Sequence, residues 1–190
     1  MSDYANARDE IVKVGQLTWE LGLNSLFSGN ISIMLPNRDI LITKTGKSLR
    51  GLHPSDDLTV VADVESSRGQ ASCEFFVHRE IYKAAGYAEG AILHCHPPHS
   101  IAASFLPADC IPPSYNEARD ILGATRIVES QNRESLGEDP SIVARALGMN
   151  RIIAVRGHGT FALAETIERC LYLTHLLETS CRVMFLKNGR

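Results

Sequence analysis

The 190-residue sequence has no uninterrupted apolar run approaching the ~18 residues of a membrane span. Neither sign of charge dominates: 19 Lys and Arg against 22 Asp and Glu give a net charge of −3, which excludes an overall positive field for nucleic acid or an anionic membrane. The cysteines (Cys73, Cys95, Cys110, Cys170 and Cys181) are odd in number and contain no CxxC pair. A complete disulfide framework is therefore excluded, and free thiols in a reducing compartment are expected. At Met1-Ser2-Asp3-Tyr4-Ala5 no basic stretch leads into an apolar one, so a secretory signal is not expected and a cytoplasmic location is. No Pro/Ser-rich linker, low-complexity tract or internal repeat divides the chain, and residues 1–190 read as a single domain. No GxGxxG follows a strand, which argues against a Rossmann fold. What is present is a globular composition, 44% hydrophobic and 22% charged, at a length that lets folding bury roughly 70% of the unfolded chain's surface.

Apolar spacing predicts a first helix to about Leu21, capped by Ser2 or Asp3, with Ile11, Val14, Leu17 and Leu21 on its buried face and Gly22 ending it. Ile31–Met34 and Ile40–Ile42 read as a hairpin around Pro36–Asp39, and Leu58–Val61 as a further strand. A helix over Glu74–Ala85 precedes the apolar run Ala91–Leu93. Pro97 and Pro98 start a helix over Ser100–Phe105, and 106–113 reads as a loop. Arg126–Val128 reads as a strand and Ser141–Leu147 as a helix. Two buried strands, Ile152–Val155 and Thr160–Leu163, flank the turn Gly157-His158-Gly159, and a long helix runs from Glu165 towards Leu186. Mixed strands and helices with hairpins favour a three-layer α/β arrangement around a mostly antiparallel sheet.

Four constellations can carry chemistry. In His94-Cys95-His96 on a strand, the two imidazoles face one side and Cys95 the other, a geometry that suits one metal ion but also a pair of hydrogen-bonded histidines. In Arg156-Gly157-His158-Gly159-Thr160, two glycines present an imidazole at a turn. Taken together, the three histidines supply the neutral nitrogen donors of a catalytic zinc site with an open position. Glu74 opens a helix, where a carboxylate is stabilised by the dipole; beside a metal it serves as displaceable ligand or general base. Ser28-Gly29-Asn30 and Thr43-Lys44-Thr45-Gly46-Lys47 are small, hydroxyl-rich turns whose amides can cradle phosphate, and Ser72 can join them from the start of the Glu74 helix. His78 and His99 are read as local packing and hydrogen-bonding residues outside the site.

In this order, Ser28-Gly29-Asn30, Ile42-Thr43-Lys44-Thr45-Gly46, Ser72-Cys73-Glu74 with His78, His94-Cys95-His96-Pro97 and Arg156-Gly157-His158-Gly159, the sequence resembles the class II aldolase/adducin-head family over nearly its whole length. The resemblance implies a three-layer α/β/α sandwich with a largely antiparallel central sheet, assembled as a cyclic homotetramer with sites at subunit interfaces. It implies zinc held by His94, His96 and His158, with Mn, Fe or Co able to take similar donors. Glu74 would be the acid/base residue that also touches the metal, and Gly29, Asn30, Thr45, Gly46, Ser72 and Cys73 would hold the substrate phosphate.

Cys73 stands where the family often has a second serine. Ser130 and Gln131 occupy the region of the mobile tyrosine of known aldolases, and Tyr115 is not carried over to that role. The implied activity is that of an L-fuculose-1-phosphate aldolase-like enzyme, joining dihydroxyacetone phosphate and an aldehyde or cleaving their ketose 1-phosphate. Within the same family, methylthioribulose-1-phosphate dehydratase and sugar-phosphate 4-epimerase are the alternatives. The epimerases typically carry aspartate in place of Glu74. A non-catalytic adducin-head-like interaction module is the alternative of another class.

Overall fold

The computed structural model describes residues 2–62, 70–86, 90–129 and 140–189. The expected cap by Ser2 or Asp3 lies outside the described side chains, and Ser130 and Gln131 lie outside the described residues. In chain order the elements are α1 (Ser2–Glu20), β1 (Asn30–Met34), β2 (Ile40–Thr43), β3 (Leu58–Val61), α2 (Phe75–Ala85), β4 (Gly90–Cys95) and α3 (Pro98–Ser104). There follow β5 (Cys110–Ile111), α4 (Asn116–Ile121), β6 (Thr125–Val128), α5 (Pro140–Met149), β7 (Ile152–Val155), β8 (Gly159–Ala164) and α6 (Ile167–Lys187).

The strands form one sheet in the order β3-β2-β1-β4-β8-β7-β6-β5. Among the described strands β6 and β7 alone pair in parallel, with the α5 segment between them; the other pairs are antiparallel. Two-residue periodicity divides the interior into two halves. Ala91, Leu93 and Cys95 of β4, with Ala162 and Ala164 of β8, pack under α1, α3 and α6. Ile92 of β4, with Phe161 and Leu163 of β8, packs under α2 and α5. The small residues on the first face let α6 approach closely: the Cys170 thiol reaches the carbonyl of Ala91 at 3.1 Å. The result is the three-layer α/β/α sandwich with a largely antiparallel centre.

Three details differ from the sequence reading. The buried stripe of α1 is Ala7, Ile11, Val14 and Thr18, while Leu21 is 41% exposed. Gly22 turns left-handed (φ 68°) just past the helix, so the chain reverses and Leu23 enters the core in place of Leu21. Within the stretch read as loop, Cys110 and Ile111 pair with Arg126 and Thr125 at the sheet edge. The six-residue helix α4 was not anticipated, because it buries only Ala118 and leaves no apolar period to read. Elsewhere the expected elements stand within a few residues of their places.

Candidate active site

The register of the sheet sets the site. Asn30 of β1 lies opposite His94 of β4, and His94 lies opposite Phe161 of β8, so all three stand in one row on the α2 side. His96 follows just beyond β4, where its amide donates to the carbonyl of Leu23 at 3.1 Å and to Asn24 Oδ1 at 3.0 Å. Cys95 points the other way, into the core under α6, as strand alternation requires.

The His158 turn is built by two glycines with different tasks. Gly157 has φ 69°, a left-handed conformation, and a Cβ there would meet the Phe105 ring at 2.9 Å. Gly159 is needed for space alone: a Cβ would lie 2.3 Å from the Cys95 carbonyl oxygen and 2.8 Å from His96 Cδ2. The turn is clamped from outside as well. Arg156 donates to the carbonyls of Ser104, Leu106 and Ala108 and to the Glu129 carboxylate, and the Gly157 amide donates to Ser104 Oγ at 2.9 Å.

Together these elements bring one donor atom from each of His94, His96 and His158 within 4.8 Å of one another. His94 Nδ1 donates to the Thr160 carbonyl at 2.9 Å, which leaves Nε2 with its lone pair facing inward. That nitrogen lies 2.9 Å from His96 Nε2 and 3.2 Å from Glu74 Oε2, while His158 Nε2 is 3.7 Å from Glu74 Oε1. Burial holds His94 well below its ordinary pKa, assisted by His158. Burial, then His94 and His158, lowers His96 to about 3. The two imidazoles are therefore neutral near pH 7 and bring no positive charge towards the carboxylate; His94 Nε2 offers a lone pair, and His96 offers one in its Nδ1–H tautomer. A cation between them answers that concentration of acceptors, and three imidazoles plus a carboxylate are a donor set that fits a zinc-like ion. Phe161 stacks on His94 at 4.1 Å and 16°, fixing the plane of its ring.

Glu74 occupies the N-cap position of α2 without a side-chain cap bond, and is buried. Its amide donates to Ser72 Oγ at 3.3 Å, and its carboxylate accepts from Asn30 Nδ2 at 2.6 Å. The remaining expected residues surround it unevenly. The Ser72 amide donates to the Thr43 carbonyl and the Thr45 amide to the Gln70 carbonyl, so the Thr45-Gly46 turn lies alongside Ser72. Thr45, Gly46 and Cys73 are exposed, and Ser72 is buried. Partial desolvation of the Cys73 thiol, then the neighbouring Glu74, raises it above its ordinary pKa. Gly29 has φ 80°, and a Cβ there would stand 2.7 Å from the His94 carbonyl, so this loop is pressed against β4.

His78 and His99 stay out of the cluster. His78 is fully buried, 2.7 Å from Ser32 Oγ, and burial lowers its pKa to about 4. His99 Nδ1 meets Glu178 at 2.7 Å, where the same carboxylate caps α3 through the amides of His99 and Ser100. Sequence reasoning missed Asn24 and Phe161, which hold His96 and His94 in place. Neither announces itself: one is a loop amide, the other an apolar strand residue. Arg156 was visible in its motif, but without a role.

The chain belongs to the class II aldolase and adducin N-terminal domain family, whose model matches residues 9–185. Among curated proteins it is 30% identical to methylthioribulose-1-phosphate dehydratase of Acidiphilium cryptum, over 92% of this chain and 87% of that one. It is 24% identical to 3-oxo-tetronate 4-phosphate decarboxylase of Escherichia coli, over 100% of this chain and 93% of that one. Among solved structures, L-fuculose-1-phosphate aldolase from Thermus thermophilus superposes with a TM-score of 0.86 at 29% identity, covering 97% of this chain and 95% of that one. No helix among the described residues is long and apolar enough to cross a membrane.

Proposed function

We propose that this protein is a metal-dependent lyase acting on a phosphorylated ketose, and that its reaction is aldol cleavage to dihydroxyacetone phosphate and an aldehyde. The observation that carries this reading is the convergence of His94, His96 and His158 on the buried carboxylate of Glu74. The three histidines would hold zinc, with Mn, Fe or Co compatible with the same donors. When bound, the ion supplies Lewis-acid stabilisation of negative charge on the substrate's carbonyl oxygen.

The chain's own groups do the rest. In the synthetic direction Glu74 takes a proton from the carbon beside the ketone and the electron pair moves to the carbonyl oxygen; that carbon then bonds to the aldehyde carbon, and the aldehyde oxygen takes a proton from solvent. In cleavage the hydroxyl gives its proton to solvent as the C–C bond breaks, and Glu74 returns a proton to the carbon. The Thr45-Gly46 turn, Ser72, the Cys73 amide and the Gly29 loop would bind the phosphate and hold the reacting carbon near Glu74. The side chain of Asn30, placed with these by the family resemblance, donates to Glu74.

Dehydration of a 1-phosphorylated ketose is the second reading, favoured by the 30% identity to a methylthioribulose-1-phosphate dehydratase. It begins with the same kind of proton removal next to a carbonyl, so the donor cluster serves both. A panel of ketose 1-phosphates separates them: aldol cleavage releases dihydroxyacetone phosphate, whereas dehydration keeps the carbon chain whole and yields a dicarbonyl compound. Release of neither product would overturn both. The donor cluster gives no support to a purely structural module.

The proposal extends to a cyclic homotetramer in the cytoplasm. Phe27, Phe76 and Phe105, exposed at 68%, 45% and 61%, stand within two residues of Gly29, against Glu74's helix start and against Gly157 respectively, and suit cover by a second copy. All five cysteines are free thiols, which suits a reducing compartment. Sedimentation compared with activity on dilution tests the assembly, and a fully active monomer would refute it.

A further inference from the structure

The two oxygens of Glu74 have unequal surroundings. Oε2 accepts from Asn30 Nδ2 at 2.6 Å and lies 3.2 Å from His94 Nε2, whereas Oε1 stands 3.7 Å from His158 Nε2, beyond hydrogen-bond reach. Asn30 reaches Glu74 because the sheet register sets it opposite His94 on the same face. The amide nitrogen donates to Oε2, so the amide oxygen is turned away from Glu74. That oxygen, Oδ1, is buried and has no partner among the described residues. It is an acceptor, and a phosphate oxygen, also an acceptor, cannot pair with it.

We propose that Asn30 is a positioning residue for Glu74 and not part of the phosphate anchor. Its amide pins Oε2, which leaves Oε1 as the oxygen that takes the proton from the substrate carbon and gives it back. This inference rests on the proposed proton-transfer role of Glu74. It divides labour along β1: the Gly29 backbone belongs to the phosphate end, and the next side chain belongs to the acid/base group.

The test compares wild type, Asn30→Ala, Glu74→Gln and the double variant as metal-loaded protein. Turnover is measured on the ketose 1-phosphate that wild type converts, and inorganic phosphate binding is measured by calorimetry. The expected result for Asn30→Ala is a fall in kcat of at least about tenfold, with KM and phosphate affinity within about twofold of wild type. In the Glu74→Gln background Asn30→Ala has no further effect, because the group it acts through is gone. Phosphate binding weakened about tenfold with kcat unchanged would make Asn30 an anchor and overturn the proposal. Unchanged kcat, or losses that multiply in the double variant, would overturn it equally. Should Asn30→Ala fail to fold, Asn30→Leu, closer in shape, carries the same comparison. A wild type that converts no ketose phosphate overturns the functional reading itself, which is a different outcome from an active wild type indifferent to Asn30.

Discussion

Replacing Gly159 with alanine adds one methyl group where the backbone of β4 and the rings of His94 and His96 leave no room for it. The new carbon would stand 2.3 Å from the Cys95 carbonyl oxygen, 2.8 Å from His96 Cδ2 and 3.2 Å from His94 Cε1. Ordinary carbon contacts are ~3.5 Å or more, so β4 or β8 must give by about 1 Å, and the nearest atom is backbone that cannot rotate away. Overpacking of this kind costs about 1–3 kcal/mol. Metal–ligand bonds tolerate only ~0.2 Å, so a shift of that size also separates His96 from His94 and His158 as a chelating set.

Two measurements follow from this displacement. Urea unfolding of metal-free Gly159→Ala should show a stability lower by about 1–3 kcal/mol. Zinc competition against a chromophoric chelator should show affinity weakened at least about tenfold, equivalent to ~1.4 kcal/mol. Gly46→Ala is the control. Gly46 is left-handed (φ 70°) with open space around its Cβ position, so alanine there costs ~1–2 kcal/mol of backbone strain and leaves metal affinity unchanged. A Gly159→Ala protein with wild-type stability and wild-type zinc affinity would refute the packing argument.

His94→Ala, His96→Ala and His158→Ala should each lower bound metal measured by atomic absorption; stoichiometric metal in all three would exclude the cluster as the site. Glu74→Gln should keep its fold by circular dichroism while exchange of a donor C–H proton with deuterated water falls roughly 10²–10⁴-fold, since an amide cannot accept the proton. His78 is neutral in the fold, with its pKa lowered from 6.5 to about 4, and is charged in the unfolded chain below pH 6.5. Stability attributable to it is present above pH 6.5 and is lost as pH falls through 4, amounting to about 3 kcal/mol. Metal-free His78→Asn should therefore lose less stability than wild type between pH 6.5 and 4 in denaturant titrations, and parallel curves would contradict this. Glu178→Ala should lower the melting temperature, because the amides of His99 and Ser100 and the Ser100 hydroxyl lose their buried acceptor. An unchanged melting temperature would show that water replaces the cap.

Each side chain that meets in the cluster, His94, His96, His158 and Glu74, was legible in the sequence as a candidate because spacing reports local geometry. Two histidines separated by one residue on a strand share a face, and a histidine between glycines stands at a turn. Helix and strand identity followed from apolar period in the same way, and failed where an element is too short to have one, as in α4. What the sequence by itself determined, then, was which side chains face inward on most elements, Leu21 at the end of α1 excepted, and which turns can carry them. It did not contain the pairing of Asn30 with His94 and of His94 with Phe161, which come from strands far apart in the chain. Those pairings decided that Asn30 meets Glu74 rather than an open turn, that Phe161 supports the His94 ring, and that Gly159 lies under the imidazoles for want of space. Such contacts depend on strand order and register, which are set by packing of the whole sheet between two helical layers. No local pattern of residues encodes them.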